Sequence, residues 1–342
     1  MEKKILIIGP NEEVFGEPSD QVKGSPGASV QAFFMHRNMR RQGFDVAYKC
    51  LFSPTLLESE SHLEQYDIVF VIFYNIALFE QHQKLYDRLR KSTGGRIVHY
   101  HDGNVWNPPE GFFNYFDLMI VLLEENYKRL RGSWRIPGSW RRVLSRLLGR
   151  GNRNLFIKTV CIPIGVDSEY LNIKQKSNVP TIIIDYDTRY IGKEEKLKAI
   201  LGACRLVKKQ RELKVVLLAT EDPIADTCIV ERINFTEFFK KLNESWIYAT
   251  AIRSSYELSA TEAQMAGNFV IGVENTLHKE HFVEGRTGFQ VANNVELIAE
   301  RILWIIDNFD PKIPRQFALE HYSWEAVIPR LMREIERLSE LR

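Results

Sequence analysis

Glu262 stands out among the ionisable residues because of the stretch that holds it. Ser254-Ser255-Tyr256-Glu257-Leu258-Ser259-Ala260-Thr261-Glu262-Ala263-Gln264-Met265-Ala266-Gly267-Asn268-Phe269-Val270-Ile271-Gly272 reads as a loop, a short helix, a Gly break and a buried strand. A carboxylate in the first turn of such a helix lies near backbone N–H groups that suit a phosphate. Its two acceptor oxygens also match the paired hydroxyls of a ribose. The same residues, Ser259-Ala260-Thr261-Glu262, spell an S-x-x-E capping box, in which Glu262 would serve only its own helix. From this segment alone both readings stand open.

Three further groups carry potential chemistry. His101-Asp102 follows an apolar run, and the carboxyl end of a buried strand is where α/β proteins place ligand contacts. There His101 would hydrogen-bond a sugar hydroxyl, whereas His99 on the same run packs. In Gly24-Ser25-Pro26-Gly27-Ala28-Ser29 the small residues let backbone N–H groups approach an anion, although such a loop can also be only a connection. Residues 126–166 contain no Asp or Glu but ten Lys and Arg. Within them Trp140, Val143, Leu144, Leu147 and Leu148 make an apolar stripe, with Arg141, Arg142, Arg146 and Arg150 largely off it. A basic amphipathic helix of this kind suits an anionic membrane surface. A plain surface helix or contact with nucleic-acid phosphates are the alternatives, and the nucleic-acid reading leaves the apolar face without a role.

The elements that must position these groups are legible as alternating patterns. Strand-like runs at Ile5–Ile8, Val46–Leu51, Ile68–Phe73, Ile97–Tyr100, Leu118–Leu122 and Val160–Ile162 are followed by a second series. That series comprises Thr181–Ile184, Val215–Leu218, Ile247–Ala251 and Phe269–Val273. Most lack polar alternation, so they read as strands of parallel sheets buried on both faces. Helical stretches at Ala28–Arg41, Leu85–Lys91, Lys196–Gln210 and Ala292–Asp307 intervene. Ser323 caps a last helix whose stripe runs through Trp324, Val327, Ile328, Leu331, Ile335 and Leu338.

The 342 residues suit two domains. A net charge of +2, from 46 basic and 44 acidic side chains, supplies no global field for nucleic acid. The four cysteines form no CxxC pair, which argues against zinc and for reduced thiols in the cytoplasm. The longest uncharged apolar stretch, Ile68–Phe79, falls short of the roughly 20 residues that a membrane span needs. Ile8-Gly9-Pro10-Asn11 lacks the G-x-G-x-x-G of a dinucleotide fold, which disfavours an NAD-type oxidoreductase.

Taken in order, several motifs resemble those of the GT-B glycosyltransferases of the retaining family 4 type. Arg41-Gln42-Gly43 with Asp45-Val46 looks like R-x-G-H-x-V, and His101-Asp102 like its H-D. Ile162-Pro163-Ile164-Gly165-Val166-Asp167 looks like the hinge motif I-P-N-G-V-D. Glu262 to Ile271 looks like E-A-M-A-x-G-x-P-V-V. Glu280-His281-Phe282-Val283-Glu284-Gly285-Arg286-Thr287-Gly288 and His321-Tyr322-Ser323-Trp324-Glu325 complete the series.

The resemblance implies an α/β, GT-B fold: two Rossmann-like doubly wound domains facing each other across a cleft. It divides the chain into an acceptor-side domain over 1–166 with the basic insertion 128–153, a nucleotide-sugar-binding domain over 167–318, and a helix over 319–342 that crosses back. It implies an EC 2.4 enzyme moving a sugar from a nucleotide-diphosphate sugar to an acceptor hydroxyl, glycan or lipid-linked, with no cofactor and no metal. Glu262 would bind the donor ribose, assisted by Thr261, and Arg189 with Lys193 the diphosphate. Gly27, in the Gly-rich loop, would lie against donor phosphate and acceptor. His101 and Asp102 would line the reacting centre.

One departure is plain. The family pairs two glutamates as E-x7-E, yet eight residues before Glu262 stands Ser254. Glu257 takes the first glutamate's role only if the loop is remodelled. A non-catalytic sugar-nucleotide-binding protein therefore remains open, as does an acceptor that is a soluble metabolite or nucleic acid. The expected location is the cytoplasm, with the insertion on the inner face of the membrane.

Overall fold

The computed structural model describes residues 3–9, 27–50, 63–73, 86–91, 93–101, 115–124, 127–128, 158–186, 194–218, 229–231, 235–251 and 258–340. They form two compact units. One holds the described residues up to Gly165 together with those from Val327 onward, and the other runs from Val166 to Ala326.

The first unit is a six-stranded parallel sheet with α1 (Gly27–Arg41) following its first strand. Its strands are β1 (Lys4–Gly9), β2 (Asp45–Cys50), β3 (Ile68–Phe73), β4 (Arg96–His101), β5 (Leu118–Val121) and β6 (Lys158–Cys161). They lie in the order β2-β1-β3-β4-β5-β6. Central strands here are apolar on both faces because both are covered: Ile5 to Ile8 have no exposed surface. Leu6, Ile8, Val69 and Val71 pack with Tyr86, Leu89 and Phe116. The Asp117 carboxylate fixes the start of β4, accepting from the Ile97 N–H at 2.9 Å and from Arg90 at 2.8 Å.

The second unit is also a six-stranded parallel sheet, in the order β9-β8-β7-β10-β11-β12. In chain order it comprises β7 (Thr181–Asp185), α2 (Glu194–Lys208), β8 (Lys214–Leu218), β9 (Ile229–Glu231), α3 (Phe235–Glu244) and β10 (Ile247–Thr250). Then come α4 (Leu258–Met265), β11 (Phe269–Val273), β12 (Gly288–Val291), α5 (Val295–Asp307) and α6 (Lys312–Tyr322). Alternate residues decide which face does what. Ile182, Ile184, Val215, Leu217 and Ile271 pack with Ile200 and Val207 of α2 and Ile298 and Ile302 of α5. Ile183, Asp185 and Tyr248 therefore belong to the opposite face, where α3 and α4 lie.

β9, β12, α3 and α6 were not legible as elements. β9 (Ile-Val-Glu) and β12 (Gly-Phe-Gln-Val) hold no apolar run longer than two residues, and each is a strand because a longer neighbour pairs with it. Gly267 ends α4 with φ +86°, a left-handed turn that suits glycine. The Asn268 N–H then reaches back to the Ala263 carbonyl at 2.9 Å, closing the helix with a Schellman-type bond. Arg315 of α6 locks this end. Its Nη1 donates to the carbonyls of Met265 (2.5 Å) and Leu171 (2.6 Å), and its Nη2 to that of Ser168 (3.1 Å). Lys176 does the same for the end of α3, donating to the carbonyls of Leu242 and Ser245 and to Asn268 Oδ1.

The closing helix α7 (Trp324–Glu340) begins as its sequence suggests. Ser323 Oγ accepts from the Ala326 N–H at 3.1 Å, and Trp324, Val327, Ile328, Leu331 and Ile335 are buried. No described helix is long and apolar enough to cross a membrane.

Candidate functional site

A doubly wound sheet binds ligands beyond the carboxyl ends of its strands, where the chain switches from building one side to building the other. In the second unit the chain adds β8 and β9 on one flank of β7 and then returns to add β10 on the other. The switch point lies between β7 and β10, whose last residues, Asp185 and Thr250, sit opposite each other in register.

Glu262 comes to this region from α4. It is the fifth residue of that helix, in the second turn rather than the first, because the helix already opens at Leu258. Ser259 is thus inside the helix and cannot be its N-cap, so the capping box does not form. Only 6% of Glu262 is exposed, and no described residue donates a hydrogen bond to its carboxylate. Burial first, and the negative charge of Asp185 second, push its carboxyl up to about 8. A buried acid left without a donor marks a position that serves something other than the fold.

Asp185 and Tyr248 accompany it. The Tyr248 hydroxyl, itself fully buried, donates to Asp185 Oδ2 at 2.8 Å. Thr261 is also fully buried, and its hydroxyl donates to the Leu258 carbonyl at 2.8 Å, which commits that proton to the helix. Beyond β11 the chain turns through Glu274 (φ 48°) and Asn275 (φ 63°), two left-handed non-glycine residues of the kind that cluster at functional sites. Lys196, in the first turn of α2, donates to the Glu274 carbonyl at 3.0 Å and lies 3.8 Å from its carboxylate. Among the described residues no three His, Cys, Asp or Glu side chains gather as a metal site.

Of the residues singled out from the sequence, Glu262 and Thr261 are therefore placed at the carboxyl end of the second sheet. Gly27 opens α1, and His101 is the last residue of β4, paired in register with Val121. His99 is fully buried with its ring 4.6 Å from that of Phe116, a packing position. Asp102, Arg189, Lys193, Ser254 and Glu257 lie outside the described residues, as does the insertion 128–153 except for Lys128. Lys128 pairs with Glu124 at 2.8 Å, one helical turn away. Sequence reasoning passed over Asp185, Tyr248 and Lys196. Asp185 did leave a signal, since it closes the apolar run Thr181-Ile182-Ile183-Ile184 at a strand's carboxyl end.

The chain matches no family model, and no curated protein is similar to it in sequence. Solved structures are similar over nearly its whole length. The sucrose-phosphate synthase of Thermosynechococcus elongatus is 13% identical with a TM-score of 0.61, covering 99% of this chain and 100% of that one. A glycosyltransferase from Rickettsia africae is 14% identical with a TM-score of 0.62, covering 98% of each. The Anabaena protein HepE, crystallised with UDP and glucose, is 10% identical with a TM-score of 0.61, covering 98% and 99%. The fold is GT-B. Both parallel-sheet units belong to the GT-B likeness, since the matched length leaves neither out. At 10–14% identity the likeness is one of fold.

Proposed function

We propose that the protein is a retaining glycosyltransferase of the family 4 type that moves a sugar from a nucleotide-diphosphate sugar to an acceptor hydroxyl. The observation that carries this reading is Glu262, a buried carboxyl without a described donor beside the switch point of a Rossmann-like sheet. Two ribose hydroxyls supply the donors that the described residues do not. The GT-B fold and a neighbour that binds UDP and glucose support a nucleotide sugar as the ligand.

In this reading Arg189 and Lys193 neutralise the diphosphate, and Lys196, held at the same end of the sheet, adds positive charge beside it. Thr261 steadies the helix that presents Glu262. Ser254 and Glu257 face the donor sugar, with Glu257 in place of the glutamate that Ser254 replaces. Gly27, at the start of α1, offers backbone N–H groups to donor phosphate and acceptor. His101 and Asp102 hold the acceptor hydroxyl, which attacks on the face the leaving diphosphate vacates, while a phosphate oxygen takes its proton. No metal is needed, because cations and helix N-termini stabilise the leaving group. The basic insertion 128–153 places the enzyme on an anionic membrane surface at the cytoplasmic face, which makes the acceptor lipid-linked.

A thermal-shift screen against UDP-, GDP-, ADP- and dTDP-sugars tests the donor. A true ligand at 100 times its Kd stabilises by about 2.7 kcal/mol, and no shift with any of them defeats the reading. Ser254 favours a second reading, a non-catalytic nucleotide-sugar-binding protein. Slow donor hydrolysis without acceptor distinguishes the two, since a binding protein shows none. Activity that survives excess EDTA is expected; loss on chelation with rescue by manganese would overturn the metal-free mechanism.

A further inference from the structure

We propose that Glu274 is a specificity-determining residue of the nucleotide-sugar site, its carboxylate accepting hydrogen bonds from hydroxyls of the donor sugar. The inference rests on the nucleotide-sugar reading above and adds to it a residue outside the motifs that carry the GT-B resemblance.

Three ties fix where Glu274 stands. It follows β11 directly, and its own N–H donates to the Val291 carbonyl at 2.9 Å. Two residues on, the Thr276 hydroxyl accepts from the Val273 N–H at 2.8 Å and donates to the Thr250 carbonyl at 3.0 Å. Thr250 is the last residue of β10, so the turn leans from β11 over the neighbouring strand. From the other side Lys196, in the first turn of α2, donates to the Glu274 carbonyl at 3.0 Å. The turn therefore reaches from the end of β10 to the helix that follows β7, and β7 and β10 are the strands that flank the switch point. Gly272 permits so close a fold-back: a Cβ there would stand 2.7 Å from Leu277 Cγ and 2.8 Å from Thr276 Oγ1.

The backbone at this point is expensive for the residue that occupies it. Glu274 has φ 48° and Asn275 φ 63°. Asparagine tolerates the left-handed region, whereas a glutamate there is held only by the bonds around it. Its side chain does little for the fold in return. The carboxylate is half-exposed and lies 3.8 Å from Lys196 Nζ, and an exposed pair at that separation contributes little. Glycine would serve the turn better. Strain that is not offset within the fold belongs with a ligand.

The chemistry selects which part of the ligand. An ionised carboxylate only accepts hydrogen bonds and repels phosphate, so its partner on a nucleotide sugar is a hydroxyl. The Lys196 ammonium beside it is a point charge of the kind that holds phosphate. Acceptor and cation side by side match a junction of phosphate and polyol. A nucleotide sugar has two such junctions, and with the ribose on Glu262 the one left for Glu274 is the donor sugar.

Titration calorimetry with paired probes separates the sugar from the nucleotide. The pairs are UDP with UDP-glucose and UDP-N-acetylglucosamine, GDP with GDP-mannose, ADP with ADP-glucose, and dTDP with dTDP-glucose. Glu274→Gln should weaken the sugar nucleotide by about 10- to 150-fold, the worth of a charge-assisted hydrogen bond. The matching nucleoside diphosphate should bind as tightly as to wild type or tighter, since a negative charge near its phosphates is gone. Glu274→Gly relieves the backbone, so it should melt at or above wild type and show the same selective loss. Unchanged sugar-nucleotide affinity in Glu274→Gln, or an equal loss for nucleotide and sugar nucleotide, overturns the inference while leaving the ribose site intact. So does a wild type that binds a nucleotide but none of its sugars. Absence of binding to every probe overturns both.

Discussion

The two sheets are built alike and filled differently. Both are six-stranded and parallel, and both switch direction beside their first strand, between β1 and β3 in one unit and between β7 and β10 in the other. In the first unit the described buried strand interiors carry no acid: their polar groups are His99, whose ring lies 4.6 Å from that of Phe116, and Tyr100, whose hydroxyl donates to the Pro163 carbonyl at 3.1 Å. In the second, Asp185, Tyr248 and Glu262 bring two acids and a phenol to the carboxyl end of the sheet. Further along, Arg315 and Lys176 tie helix ends to the loops beneath them. Among the described groups just named, buried polarity has two jobs. Some of it closes the fold, and there every donor meets an acceptor. The rest leaves an acid without a donor, and that is where a ligand is expected.

Substitutions can separate the two jobs. Arg315→Ala should cost the most stability, roughly 2–4 kcal/mol, because it strands the carbonyls of Ser168, Leu171 and Met265 at once. Urea denaturation would register the loss; a midpoint equal to that of wild type would remove the clamp from the closing group. Glu262→Gln should leave the fold intact and weaken nucleotide-sugar binding by about 10- to 150-fold, the worth of a charge-assisted hydrogen bond at about 1.5–3 kcal/mol. Unchanged affinity in calorimetry would move Glu262 from the ligand group to the fold.

The pH dependence of stability sharpens the contrast. Because the folded carboxyl of Glu262 is raised from 4.5 to about 8, the folded state holds a proton that the unfolded state has lost between those values. Its contribution to stability is complete below pH 4.5 and falls by roughly 1.4 kcal/mol per pH unit as pH climbs toward 8. Glu262→Gln should lack this component and be more stable than wild type at pH 8, as denaturant midpoints at pH 5, 6.5 and 8 would reveal. A parallel decline in both proteins would show that the acid does not carry its proton in the fold. The smallest effect belongs to the first unit. His99→Phe, a swap of similar volume against Phe116, should change stability by less than about 1.5 kcal/mol and leave nucleotide-sugar affinity alone. A drop in affinity would show that the first sheet's interior is not merely packing.

Much of this is legible in the sequence. Unbroken β-branched runs mean strands buried on both faces, and their alternation with 3.6-period stretches means parallel sheets, so β1, β3, β7 and β11 appear close to where they were read. Ser323 shows itself as a cap and the stripe from Trp324 to Ile335 as a buried face, because both depend on residues within one helix. Gly267 marks the end of α4 for the same local reason. Beyond that reach lay whatever depends on a partner far along the chain. β9 and β12 are too short to be strands except beside β8 and β11. The capping box at Ser259 looked sound by spacing, but α4 starts one residue earlier and leaves Glu262 without that role. Asp185 and Glu262 are 77 positions apart, and nothing local joins a strand's last residue to a helix that follows a different strand. The sequence alone determined the strands, the helix ends and the identity of the acid. Only the tertiary structure, by setting β10 beside β7 rather than beside β9, brought the two carboxyl groups together, because strand order is decided by which faces can be buried at once.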